Sequence, residues 1–227
     1  MNYTELKAAI QAYTENSEAN FVAEIPVFVQ QAEQRIYNSV QFPSIRKNVY
    51  GQVTASNKYL QCPLDFLAVY SLAIITDVTG SDLNTGTYEY LLNKDVNFIR
   101  QAYPTPNDTG VPRYYALFGP RSDNTDELTF ILGPTPDASY WTELHYYYYP
   151  ESITVAADGR TWLGDNFDSV LLYGSLVEAY TYMKGEQDMM ALYNGKYQEA
   201  LALAKRLGDG MERQDAYRSG QFRQKVT

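Results

Sequence analysis

Cysteine and histidine are nearly missing: the 227 residues contain one of each. A lone Cys62 excludes an intramolecular disulfide framework. Placed between Gln61 and Pro63, it reads as a small buried hydrophobe. A multi-histidine metal site needs more than His145. That residue reads as a side chain packed on a strand, with Glu143 as a same-face partner. No apolar run reaches about 18 residues, so no membrane span is expected. The opening MNYTELKAAI has no basic stretch followed by an apolar one. It predicts no signal peptide and synthesis in the cytosol. Neither a phosphate-cradling G-x-x-x-x-G-K-[ST] nor a calcium-loop pattern occurs. Carboxylates such as Asp123, Asp158, Asp165 and Asp188 are scattered. Two distant carboxylates leave no local signature, so a glycosidase-type pair stays open as an alternative.

What the chain does have is tyrosine, 22 of them, within an apolar content of 45%. Tyrosine favours contact surfaces, where the ring is buried and the hydroxyl finds a partner. The densest run is WTELHYYYYP, residues 141–150. Strand alternation puts Trp141, Glu143, His145, Tyr147 and Tyr149 on one face and Thr142, Leu144, Tyr146 and Tyr148 on the other. Both faces carry rings, so both are expected to meet apolar material. Base-stacking platforms combine rings with a basic groove, and residues 140–150 hold no Lys or Arg. Sugar stacking remains an alternative for these rings.

The formal net charge is −9. From Lys205 onward the balance is +3, which leaves −12 on the rest. An acidic body grips nucleic-acid backbone poorly, because affinity there rests on cations displacing counterions.

Periodicity predicts helices at both ends and strands between. Asn2 caps a first helix, with Glu5 completing a capping box. A second helix is expected from Ile25 to Val40, with Pro26 in its first turn. Strand-like runs follow: VYGQVTA and KYLQC around the hairpin-like Ser56-Asn57, then LAVYSLAIITDV, YYALFG, ELTFILG and YWTELHYYYY. GPTPDA predicts a hairpin between the last two. LLNKDVNFIRQAY reads as an intervening helix. A long helix is expected from Asp165 or Asn166, with Gly174 allowing close approach. A last helix runs from Gln187 to Leu207 and stops at Gly208-Asp209-Gly210. The predicted fold class is α+β: a helical bundle from 1–45 plus 160–207, an inserted β-rich antiparallel sheet or sandwich at 46–159, and an extended arm at 208–227.

The stretches YEY before LLNKDVNFIRQAYP, then YYALFG, FILGPTPD, LGDN, LLYGSLVEAYTYMKGE, YQEAL and RQDAYRSGQF occur in that order. With EIPVFVQQAEQRIY near the start, they resemble the head–tail adaptor (connector) proteins of tailed phages, especially short-tailed ones. The resemblance covers nearly the whole chain, and none of its motifs is a catalytic signature. It implies a structural virion protein, not an enzyme, with no cofactor and no membrane association. It implies a dodecameric ring of copies at the head–tail interface, assembled in the host cytoplasm. The ring would sit between the portal protein and tail nozzle or tail tubular proteins, with tail fibres as further neighbours. It would extend a DNA channel through which DNA passes without specific binding, and would aid head completion and genome ejection. The C-terminal arm is implied to reach the portal, with Arg213, Tyr217, Arg218 and Phe222 as candidate contacts. Tyr147 and Tyr149 are the candidate subunit contacts. The rival reading is a carbohydrate-binding, tail-associated module whose aromatic faces stack on sugar.

Overall fold

A computed structural model describes residues 1–121 and 124–212. In chain order the elements are α1 (Tyr3–Thr14), α2 (Ala19–Ser39), β1 (Arg46–Val53), β2 (Tyr59–Gln61), β3 (Ala68–Thr76), β4 (Thr87–Tyr90), β5 (Leu92–Asn93) and α3 (Val96–Ala102). Then come β6 (Tyr114–Arg121), β7 (Asn124–Gly133), β8 (Tyr140–Tyr147), α4 (Trp162–Asn166), α5 (Asp168–Met183) and α6 (Gln187–Glu212). Helices and sheets together make the chain α+β. It divides into two compact units, residues 46–148 and residues 1–45 with the described residues from 149 on.

In the helical unit, α1, α2 and α6 each pack on α5. The Asn2 side chain accepts from the Glu5 N–H, and the Glu5 carboxylate accepts from the Asn2 N–H, so the expected capping box closes. Glu15 ends α1 in a left-handed conformation. α2 begins six residues before the expected start, which places Pro26 inside the helix. An internal proline costs about 3 kcal/mol. That cost is offset by the extra turns, which bury Phe21 and set it against Phe28 at 5.8 Å. At the crossing with α5, Gly174 meets the Ala32 side chain and the Tyr197 ring, each 3.2 Å from where a Cβ would stand.

Two helix boundaries also differ from expectation. The helix expected from Asp165 or Asn166 is split. Thr161 caps α4 by accepting from the Gly164 N–H, and α5 restarts after Phe167 leaves helical geometry. Phe167 does so while packing on Phe42 at 4.9 Å and Trp162 at 5.4 Å. α6 continues through Gly208-Asp209-Gly210, so the first residues of the expected arm are helical. A glycine costs a helix only about 1 kcal/mol relative to alanine, too little by itself to end a long one. The stretch 149–159, read above as the end of the β-rich part, clusters with the helices. There the Ile153 N–H donates to the buried Glu33 carboxylate at 3.0 Å.

The second unit is two four-stranded sheets, ordered β1-β8-β3-β4 and β2-β7-β6-β5. Pairing is antiparallel except for β5 with β6. Inward rows from both sheets share one core. Leu72, Ile74, Leu144 and Tyr146 come from the first sheet, and Tyr115, Phe130 and Leu132 from the second. Neither expected hairpin forms. β7 already pairs with β2 and β6, and β8 with β1 and β3. The GPTPDA and Ser56-Asn57 turns therefore pass from one sheet to the other. The reason is that β7 and β8 each carry an apolar row, and these rows bury more surface facing each other across the sandwich than lying side by side. The stretch read as one helix at residues 91–103 begins as β5. Only α3, capped by the Asp95 side chain, is helical. α3 lays Ile99 on Ala116 and Ile131, on the outer face of the second sheet.

Candidate functional site

The WTELHYYYYP run supplies β8 and leaves it. Thr142, Leu144 and Tyr146 point into the sandwich and are buried. Trp141, Glu143, His145 and Tyr147 line the outer face and are half-buried or exposed. Register explains their neighbours: β1 sets Arg46, Asn48 and Tyr50 opposite Tyr147, His145 and Glu143. Tyr70, at an irregularity of β3, stands edge-on to His145 at 4.9 Å and to Tyr147 at 6.0 Å. The Arg46 guanidinium lies 4.8 Å from the Tyr70 ring centre and 5.8 Å from that of Tyr147. The Asn48 amide donates to Glu143 Oε1 at 2.6 Å. Tyr50 hydrogen-bonds to Tyr88 and Glu143, and with Tyr88 as the main cause its hydroxyl is pushed up to about 12. This outer face is a sheet of linked rings and polar groups, open to a partner.

Tyr147 and Tyr149 are not brought together. β8 ends at Tyr147, and Tyr149 belongs to the helical unit. Its hydroxyl donates to Asn38 Oδ1 at 2.5 Å. It borders a cleft of about 160 Å³ with Gln30, Glu33, Gln34, Tyr37 and Ser152. Glu33, 3% exposed, lies at the wall of that cleft. Burial raises its carboxyl above the ordinary range, against the lowering pull of hydrogen bonds from Ile153 and Ser152. Arg213, Tyr217, Arg218 and Phe222 lie outside the described residues.

Cys62, considered from sequence as a nucleophile, is used structurally, and Asp123 lies outside the described residues. Cys62 is buried, and chiefly for that reason its thiol is pushed up to about 12, far from the thiolate a nucleophile needs. Asp65 accepts from the Tyr146 hydroxyl at 2.7 Å and from Lys47 Nζ at 2.8 Å. Burial works to raise its carboxyl, but these two donors outweigh that and hold it below the ordinary carboxylate range. Among the described residues no group of three His, Cys, Asp or Glu side chains could hold a metal ion. Among them, too, no helix is long and apolar enough to cross a membrane.

One cluster escaped the sequence reading. On the second sheet, Tyr59 and Phe118 meet at 5.5 Å. Arg121 lies 4.3 Å over the Tyr59 ring and Arg100 lies 5.2 Å over Phe118, while Lys58 Nζ stands 5.6 Å from the Tyr59 centre. Its members are scattered over residues 58–121, and only the adjacent Lys58-Tyr59 pair gave a local signal.

Two compact units, one of helices and one of two sheets with ring-lined outer faces, define an α+β protein. The family model described as SU10 adaptor protein matches residues 1–224, and the chain belongs to that family. It is thus a structural adaptor protein of a phage. No match is found among curated proteins.

Proposed function

We propose that the chain is a head–tail adaptor whose copies form a ring, dodecameric by family resemblance, between the portal and the tail nozzle of a short-tailed phage. The observation that carries this is the family match, which spans residues 1–224 and so includes both units. In this reading the chain is a non-enzymatic virion component assembled in the host cytoplasm. The N- and C-terminal helices serve as one bundle and the sandwich as an insertion. The C-terminal residues anchor to the portal through Arg213, Tyr217, Arg218 and Phe222, pairing charge with rings as interface anchors do. Tyr147 and Tyr149 meet neighbouring subunits. The acidic body, −12 before Lys205, repeats around the channel and repels phosphates, so DNA slides without being held.

Mixing the full chain with purified portal, followed by native mass spectrometry and negative-stain imaging, tests this. A closed ring on the portal is the expected result. Failure to bind the portal, together with binding on a glycan array, would transfer the assignment to the carbohydrate-binding alternative. Truncation after Glu212 leaves α6 whole and is expected to abolish portal binding. Full binding by that truncated chain would remove the anchor role from the C-terminal residues.

A further inference from the structure

Residues 149–155 lie along α2 as a strap held mainly by polar ties. The Tyr149 hydroxyl donates to Asn38 Oδ1 at 2.5 Å, the Ile153 N–H to Glu33 Oε1 at 3.0 Å, and the Gln30 side-chain amide to Thr154 Oγ1 at 3.0 Å. The order is reversed along the two segments, so the strap runs antiparallel to the helix. The Ser152 hydroxyl donates to the Glu33 carboxylate as well. Apolar contact is thin by comparison. Among residues 149–155 only Ile153 is buried, and Tyr149 and Val155 are exposed. The cleft of about 160 Å³ is lined by Pro150 and Ser152 of the strap and by Gln34 and Tyr37 of α2. Strap and helix are therefore not close-packed there, unlike the elements of a core.

We propose that this strap is a latch that opens from α2 while the helices stay folded, with Glu33 as its catch. Closed, the Glu33 carboxylate is 3% exposed, and the Ile153 and Ser152 donors are what compensates its lost water. Opened, the carboxylate is hydrated again. The strap then gives up the burial of one isoleucine and a few hydrogen bonds, whose groups find water instead. Opening the strap therefore costs far less than unfolding the unit, which is the condition for local opening. Its place in the chain gives the latch a use. The chain passes between the two units at residues 45–46 and again at 148–149, and the strap directly follows the second passage. Held on α2, it fixes where that link leaves the helices; released, it frees the link. The latch does not depend on the ring reading above.

Amide hydrogen exchange of the full chain, read residue by residue by NMR, tests this, with folding checked by circular dichroism. In the wild-type chain the Ile153 amide is expected to exchange at least about 100-fold faster than the slowest amides of α5. Exchange of Ile153 at the α5 rate overturns the latch, because the strap would then open only with the whole unit. Glu33→Ala is expected to speed Ile153 exchange about tenfold further, with a much smaller change in α5. An unchanged Ile153 rate, or an equal rise at Ile153 and in α5, overturns the role of Glu33 as catch. Should Glu33→Ala fail to fold, Tyr149→Phe and Gln30→Ala each remove one exposed tie and leave the buried carboxylate in place. Each is expected to speed Ile153 exchange about threefold. Wild-type rates in both variants overturn the latch.

Discussion

The tyrosine at the helix crossing and the tyrosines at the sandwich loops are used in opposite ways. In the helical unit, Tyr197 fills the space left by Gly174, and its buried hydroxyl has no hydrogen-bond partner among the described residues. In the sandwich, hydroxyls are wired to carboxylates: Tyr146 to Asp65 and Tyr140 to Asp137. The first use is about shape, where a ring fits a notch between helices. The second is about position, where a hydroxyl ties a strand to a loop. A helix crossing needs complementary bumps and hollows. A two-sheet sandwich needs its connecting loops held over the ends of an apolar layer, and directional bonds do that.

Removing a ring should damage the sandwich core most. Phe130 is fully buried, with Phe66 at 5.4 Å and Tyr115 at 5.5 Å. Phe130→Ala is expected to cost about 3–5 kcal/mol, read as a lowered urea midpoint. In the helical unit the sensitive change is addition. Gly174→Val would push side-chain atoms into Ala32 and Tyr197, both already close. It is expected to cost about 1–3 kcal/mol, and a midpoint equal to wild type would show that the notch is not tight.

Hydroxyl deletion sharpens the comparison further. Tyr146→Phe keeps the ring in the core and removes the donor to Asp65, which retains Lys47. A loss of about 1–2 kcal/mol is expected, since the bond goes to an ionised acceptor. The same hydroxyl sets a pH response. Burial, and then the bond to Asp65, pushes Tyr146 up to about 12. A phenol raised in the folded state stabilises fully below its unfolded value near 10, and that stability is lost as pH rises toward 12. Tyr193, Tyr140 and Tyr50 are pushed up to about 12 as well. The chain should therefore lose stability between about pH 10 and 12, and Tyr146→Phe should flatten that decline. An unchanged slope would place the alkaline sensitivity on the other tyrosines.

Local signals carried the start of the first helix and the strand faces. Asn2 with Glu5 gave the capping box, and alternation in 141–147 separated the buried row from the outer one. Pairing was not legible. GPTPDA and Ser56-Asn57 are strong turn signals, but a turn does not say whether the chain returns beside itself or crosses to another sheet. That choice depends on which distant strands occupy the edges of β7 and β8. The contact surfaces were partly legible for the same reason. Tyr147 stood out in a dense run, yet Tyr70 and Arg46, which pack on it, are distant in sequence. The Lys58, Arg100 and Arg121 cluster was invisible because three separate segments build it.

The smallest effect is expected where the comparison is sharpest. Tyr197→Phe removes a buried hydroxyl that bonds to nothing among the described residues, and keeps the ring that packs on Gly174. Burying an unsatisfied hydroxyl costs free energy, whereas a phenyl group in the same place does not. The variant should equal or exceed wild type by up to about 1 kcal/mol in urea unfolding. Set beside Tyr146→Phe, which removes the same atom at the loop-tying site, the pair separates shape from position by chemistry alone. A clear loss in Tyr197→Phe would mean that this hydroxyl has a bridging water in solution, and that the helix crossing also depends on directional bonds.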